Sequence, residues 1–314
     1  MLGKYIINIR NNKVSYEIPL DRKITVIKGE SGTGKTTFVK MVRDWLDIGR
    51  KSGIHCSCGA ELDILEHRTD WRTKLSEVKG KIFIADENLE YLTYQDFGEA
   101  VNQSENYFLF ITRSGRLGNM TYAISSILAL ETRKEGTINF TSAYSRYVNK
   151  NRNMLDPDII ITEDSNSGYE MMGLLYRNIR VVPGCGKDNM YNIFSQHRHK
   201  RVILFVDGAA FGSCIGRYNS VLKQVVLIAP ESFEYLLLNT EALKKFVENE
   251  LANTADYCDF KGDIISYERY FTELLKDTLL INYNVHYTKS HLVPFFKNEM
   301  IYQQLREFLF EIKC

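Results

Sequence analysis

Residues 29–36 read GESGTGKT, and their two flanks constrain the fold more than any other stretch of the chain. Ahead of them runs KITVIK, apolar and β-branched. Behind them, KTTFVKMVRDWLDIG puts Phe38, Met41, Val42 and Trp45 on one helical face, with Gly49 as the stop. A strand that feeds a glycine turn that feeds a helix predicts an α/β sheet with the turn at the strand's carboxyl end. Gly29, Gly32 and Gly34 give the turn the backbone freedom to aim successive N–H groups inward. That concavity, placed at a helix N-terminus, suits phosphate oxygens. The spacing G-x-x-x-x-G-K-[ST] adds a cation and a hydroxyl: Lys35 for the β- and γ-phosphates, Thr36 for Mg²⁺. The expected phosphate-binding set is Gly29, Glu30, Ser31, Gly32, Thr33, Gly34, Lys35, Thr36 and Thr37, with ATP and Mg²⁺ as cofactors and Lys35 as a catalytic cation.

A second stretch, KIFIADENL, carries an apolar strand into Asp86 and Glu87. Asp86 is expected to hold the water shell of the metal, at the end of a neighbouring parallel strand. Glu87 is expected to orient and activate the attacking water. That adjacency favours hydrolysis over transfer to a small-molecule acceptor, the kinase alternative. The strand YFLFIT ends in Thr112 and Arg113, candidates for sensing the terminal phosphate. Two N-terminal strands, then ITVIKGESGTGKTT, then IFIADE, resemble a reduced ATPase domain of the ABC and RecF-like group over residues 1–130. No Leu-Ser-Gly-Gly-Gln-type segment lies between the glycine loop and IFIADE, so the nucleotide-driven dimerisation of that group has no sequence support here.

A polar stretch, YVNKNRNMLDPD, marks the expected boundary between a P-loop NTPase domain at 1–150 and a second α/β domain at 151–245. A mostly helical extension is expected at 246–314. Within the second domain, DIIIT, IRVVPG, RVILFVD and QVVLIAP read as strands alternating with helices, which predicts a parallel sheet. Parallel strands share a carboxyl edge, so Glu163 after the first and Asp207 after the third should converge there. A few carboxylates with several waters are what Mg²⁺ takes, and a metal so held activates water against a phosphodiester. Glu163 and Asp207 are therefore both metal and catalytic candidates.

VVPGCGKDNMYNIF and PESFEYLLL are similar to pieces of the Toprim domain, in the version that overcoming-lysogenisation-defect (OLD) nucleases join to an ABC-like ATPase, over about residues 156–245. That resemblance implies an acid after the first strand, matched by Glu163, and Asp-x-Asp after the third, which here reads Asp207-Gly208-Ala209. Asp164 or Glu234 are the candidates to supply the missing oxygen. The alternative is an interaction module, gated by nucleotide, that cuts nothing.

Smaller signals are weighed against plainer readings. His55, Cys56, Cys58 and His67 offer four zinc donors, but the Cys-x-Cys is tight and a second pair is missing, so a β-hairpin with ordinary thiols is expected. The basic run from His197 to Arg201 is expected to be solvated, and Cys185 to be a turn thiol. A net charge of +1 excludes global attraction to nucleic acid. The apolar runs are strand-length, which predicts no membrane span, and the polar N-terminus predicts no signal peptide. Cytoplasmic localisation is the expectation. Nucleotide, possible nucleic acid, and a protein partner or second copy are the expected partners.

Overall fold

The computed structural model describes residues 3–29, 32–113, 117, 120–147, 157–218, 225–255 and 266–311. Glu30, Ser31 and most of the expected boundary stretch fall outside those residues. The chain divides into two compact units, one over Met1–Arg146 and one that begins at Tyr147 and includes the C-terminal helices. Both are α/β. A large mixed sheet organises the first, and a smaller, wholly parallel sheet organises the second.

In the first unit, β1 (Tyr5–Arg10) and β2 (Val14–Leu20) form the hairpin that the alternation of apolar and polar residues predicts. The Asn11 carboxamide closes it by accepting from the N–H groups of Lys13 and Val14. β3 (Ile24–Lys28) is buried throughout and leads through the glycine loop into α1 (Lys35–Ile48). Gly49 ends that helix at φ 64°, a conformation that favours glycine. Next come β4 (His55–Ser57), β5 (Glu61–Leu65), a helix α2 (Trp71–Glu77) capped by Asp70, β6 (Lys81–Asp86), α3 (Gln95–Gln103) and β7 (Tyr107–Thr112).

MTYAISSILALET reads by spacing as a helix, yet from Ile127 it is strand: β8 (Ile127–Glu135) turns back into β9 (Ile138–Ser145). The Glu135–Ile138 register leaves Gly136 and Thr137 as a two-residue turn, with Gly136 at φ 62°. That turn, not the apolar spacing of the preceding residues, decides the segment.

The sheet order is β4-β1-β2-β9-β8-β3-β7-β6-β5. Laid flat, nine strands would separate the two edges by about 38 Å. Only Cys58, Gly59 and Ala60 join the two edge strands, and so short a link spans at most about 14 Å. The sheet therefore curls, and α1 fills the concave side. Phe38, Val39, Met41 and Val42 of α1 pack with Ile7 and Ile9 of β1, Ile64 of β5, and Ile82 and Ile84 of β6 in one core. Cys56 and Cys58 consequently lie on no hairpin: β4 pairs with β1, whereas β5 pairs with β6.

The second unit alternates β10 (Ile159–Thr162), α4 (Ser167–Leu175), β11 (Arg180–Pro183), α5 (Lys187–His197), β12 (Val202–Phe205), β13 (Val225–Ile228) and α6 (Phe233–Leu238). Its four strands are parallel in the order β11-β10-β12-β13. The helical extension is not separate from it. Phe271, Leu275 and Leu279 of the Tyr267–Tyr283 helix, and Ile301, Leu305 and Leu309 of the Glu299–Glu311 helix, join Ile160, Ile203 and Phe205 of the sheet in one core.

Candidate functional sites

In the first unit the residues at the carboxyl edge of the parallel strands converge on the glycine loop. The Lys35 ammonium is buried and donates to the Gly29 carbonyl at 2.6 Å and to Thr33 Oγ1 at 3.0 Å. Gly32 and Gly34 take φ of 86° and 88°, as an inward-facing turn requires. Thr36 and Thr37 are exposed in the first turn of α1. Burial, reinforced by the Arg113 charge, lowers the pKa of Lys35, against which Glu87 and Asp86 act to raise it. The four charges thus share one field.

Asp86 ends β6 and Glu87 follows it; β6 is not the immediate neighbour of β3, because β7 lies between them. Lys28 of β3 pairs with Thr112 of β7, and Asp86 of β6 pairs with Ile111, so the three strand ends come level. Asp86 and Glu87 are half-buried, and Thr112 is buried. Glu87 is held twice by Arg113, whose backbone N–H donates at 2.7 Å and whose Nε lies at 2.8 Å. Arg113, a sensor candidate by its position, thus serves here as the clamp on Glu87.

Two supporting residues escape a sequence reading. Tyr16, on β2, donates its hydroxyl to the Gly34 carbonyl at 2.9 Å and buttresses the loop from the antiparallel part of the sheet. Arg146 donates to the Lys28 carbonyl at 3.3 Å. Burial and this guanidinium together bring the Lys28 pKa down to about 8. An alternating aromatic and a strand-end arginine are commonplace in sequence, and only the fold brings them to the loop.

The second unit has its own pocket, a cavity of about 300 Å³ at the carboxyl edge of β10 and β12. Glu163 and Asp207 meet there, with the Asp207 N–H donating to Glu163 Oε2 at 3.1 Å. Asp207 also accepts from the Phe233 N–H at 3.1 Å, which ties β12 to the start of α6. Burial first, then the Glu163 and Glu234 carboxylates, pushes the Asp207 carboxyl well above the usual carboxylate range. Glu163 is raised as well, chiefly by burial.

The two acids that sequence offered as replacements for Ala209 both line this pocket, and both already carry protein partners. Asp164 accepts from the Gly168 N–H at 3.0 Å and anchors the first turn of α4. Glu234 is buried, accepts from the Tyr287 hydroxyl at 3.0 Å, and pairs with Lys289 at 3.4 Å. Ala209 itself is buried and has no oxygen to offer beyond its backbone. Lys289 and Glu268 reach the pocket from the C-terminal region, whose helical pattern gave no hint of a site, and Tyr287 from the same region holds Glu234.

Among the described residues, no group of three or more His, Cys, Asp and Glu is placed to hold a metal ion. His55 and His67 are exposed, and burial, followed by the neighbouring Cys58, raises the Cys56 thiol to about 11, which opposes the thiolate that zinc requires. The basic run ends in an exposed pair between Arg201 and Asp158, and Cys185 is exposed at φ 53°. No described helix is long and apolar enough to cross a membrane. No protein-family model matches the chain, and no curated protein matches it by sequence.

Proposed function

We propose that the first unit binds and hydrolyses a nucleoside triphosphate such as ATP, with Mg²⁺. The observation that carries this reading is the buried Lys35 ammonium, held by Gly29 and Thr33 at a helix N-terminus, on the same sheet edge as Asp86 and Glu87. A buried ammonium that shares its field with Arg113 gains most from a phosphate anion, because each cation is then neutralised rather than repelled. Thr36 and Asp86 are the residues that would hold Mg²⁺, which when bound neutralises charge on the phosphate oxygens. Glu87 is the group that would orient the attacking water, and Arg113 fixes its carboxylate from two sides.

The test is steady-state ATP turnover by the full chain with Mg²⁺. Lys35→Ala and Glu87→Gln should each abolish it, and Glu87→Gln should leave nucleotide binding intact. Turnover that survives both substitutions would remove the reading.

For the second unit we infer a binding role under the control of the first, towards nucleic acid or a protein partner, rather than phosphodiester cleavage. The observation that favours it over the nuclease reading is the buried Ala209 beside acids already committed to protein partners. Plasmid DNA incubated with the full chain, ATP and either Mg²⁺ or Mn²⁺ should stay uncut. Cutting that Asp207→Asn abolishes would restore the nuclease reading.

A further inference from the structure

The acid pocket of the second unit already contains a cation. Lys289 lies on the segment that leaves the Tyr267–Tyr283 helix, and its ammonium bridges Glu268 and Glu234 in a cavity that Glu163, Asp164 and Asp207 also line. The segment is fastened around the start of α4. The Ser167 N–H donates to the Lys289 carbonyl at 3.4 Å, and the Leu292 N–H donates to Glu170 at 3.3 Å. Tyr287 is buried between Ser167 and Glu234. Lys297 adds an ion pair to Glu170 at 3.6 Å.

We propose that Lys289 is the resident cation of this pocket, an ammonium that takes the charge-neutralising place of a divalent ion and keeps metal off the β10–β12 edge while its segment is docked. The residues present do not fit Mg²⁺. That ion asks for near-octahedral oxygens, whereas Glu234 and Glu268 already bind the Lys289 ammonium and Ala209, two residues after Asp207, brings no carboxylate. A second cation close to the ammonium would be repelled in a half-buried site where screening is weak. Burial opposes the charge on Lys289, but Glu234 and Glu268 outweigh it and hold its pKa above the ordinary lysine value. An ammonium cannot supply metal-bound hydroxide, so the docked pocket binds but does not hydrolyse. The inference rests on the binding reading of this unit and is independent of ATP hydrolysis by the first. Removing the Lys289 charge leaves Glu163, Asp207, Glu234 and Glu268 lining one pocket with no cation among them, a change that a divalent probe reads.

The experiment uses the full chain carrying Asp86→Asn, which silences the first unit, without nucleotide. Mn²⁺ is the probe, followed by the electron paramagnetic resonance of the free ion. With Lys289 intact, no Mn²⁺ binding that depends on Asp207 is expected. Lys289→Met should tighten Mn²⁺ binding by at least about tenfold, a gain that Asp207→Asn cancels and Lys289→Arg does not reproduce. If Lys289→Met does not fold, Lys289→Gln, which removes the charge but keeps a polar side chain, takes its place, with the same expected gain. The proposal fails if the Lys289 protein binds Mn²⁺ in an Asp207-dependent way. It fails equally if the folded, lysine-free protein gains no Mn²⁺. Plasmid cutting measured on the same samples separates this failure from that of the binding reading, which falls only if the Lys289 protein cuts DNA.

Discussion

Replacing Gly34 by alanine tests whether the glycine loop is shaped as described. At φ 88°, alanine occupies a left-handed conformation at a cost of about 1–2 kcal/mol. Its Cβ would also stand 2.8 Å from the Tyr16 hydroxyl, closer than such atoms approach. The ring must move, and the 2.9 Å bond to the Gly34 carbonyl is lost, about 1 kcal/mol more. That carbonyl keeps its helical bond from the Phe38 N–H, so nothing is left orphaned. Gly34→Ala should therefore cost about 2–3 kcal/mol and Tyr16→Phe about 1 kcal/mol. In the double variant the hydroxyl is already gone, so the total stays at about 2–3 kcal/mol and the two substitutions couple by about 1 kcal/mol. Both tryptophans of the chain, Trp45 and Trp71, belong to the first unit, so urea unfolding followed by tryptophan fluorescence reports that unit alone. Additivity within about 0.5 kcal/mol would refute the contact between Tyr16 and the loop.

Three further outcomes are expected. Arg113→Ala should lower ATP turnover by about tenfold or more while leaving nucleotide affinity nearly unchanged, because it frees Glu87 rather than the phosphates; an equal loss of affinity, read by equilibrium binding, would contradict the clamp. Gly208→Ala would bring a Cβ to 2.3 Å from the Ala229 carbonyl, a backbone atom that cannot step aside, so the second unit should lose about 3 kcal/mol or fail to fold, as calorimetry would show. Because Asp207 and Glu163 titrate above their unfolded values, the folded state binds more protons, and the stability of the second unit should fall as pH rises from the ordinary carboxylate range through the raised pKa values. Asp207→Asn keeps an acceptor for the Phe233 N–H and should flatten that slope and raise the melting temperature at neutral pH; a steeper slope would reverse the argument.

What sequence revealed and what it hid divide along a physical line. The strand, glycine loop and helix around Lys35 were legible because each rests on local rules: β-branching, glycine spacing and a helical apolar face. The parallel alternation after Pro157 was legible for the same reason. The β8–β9 hairpin was misread because ILALET has helical spacing, and the deciding Gly136 turn lies beyond it. Tyr16, Arg146, Tyr287 and Lys289 were invisible as site residues because each arrives from an element distant in sequence, and nothing in its own surroundings marks it. Ala209 was legible as a missing acid. The lysine that sits among the remaining acids was not, because it is borne by the C-terminal segment.

The curl of the large sheet also bears on how the first unit assembles. β4 and β5 are successive in the chain, with three residues between them, yet neither pairs with the other. β4 pairs with β1, whose other neighbour is its hairpin partner β2, whereas β5 has to find β6 across the intervening α2. α1 gives strands near both edges a common apolar surface. Local pairing of neighbouring strands is thereby replaced by pairing between strands distant in sequence, the non-local kind that slows folding. Because only three residues join β4 to β5, the link at Gly59 keeps the two edges within about 14 Å of each other before either is paired, so the sheet that carries the glycine loop can only form curved.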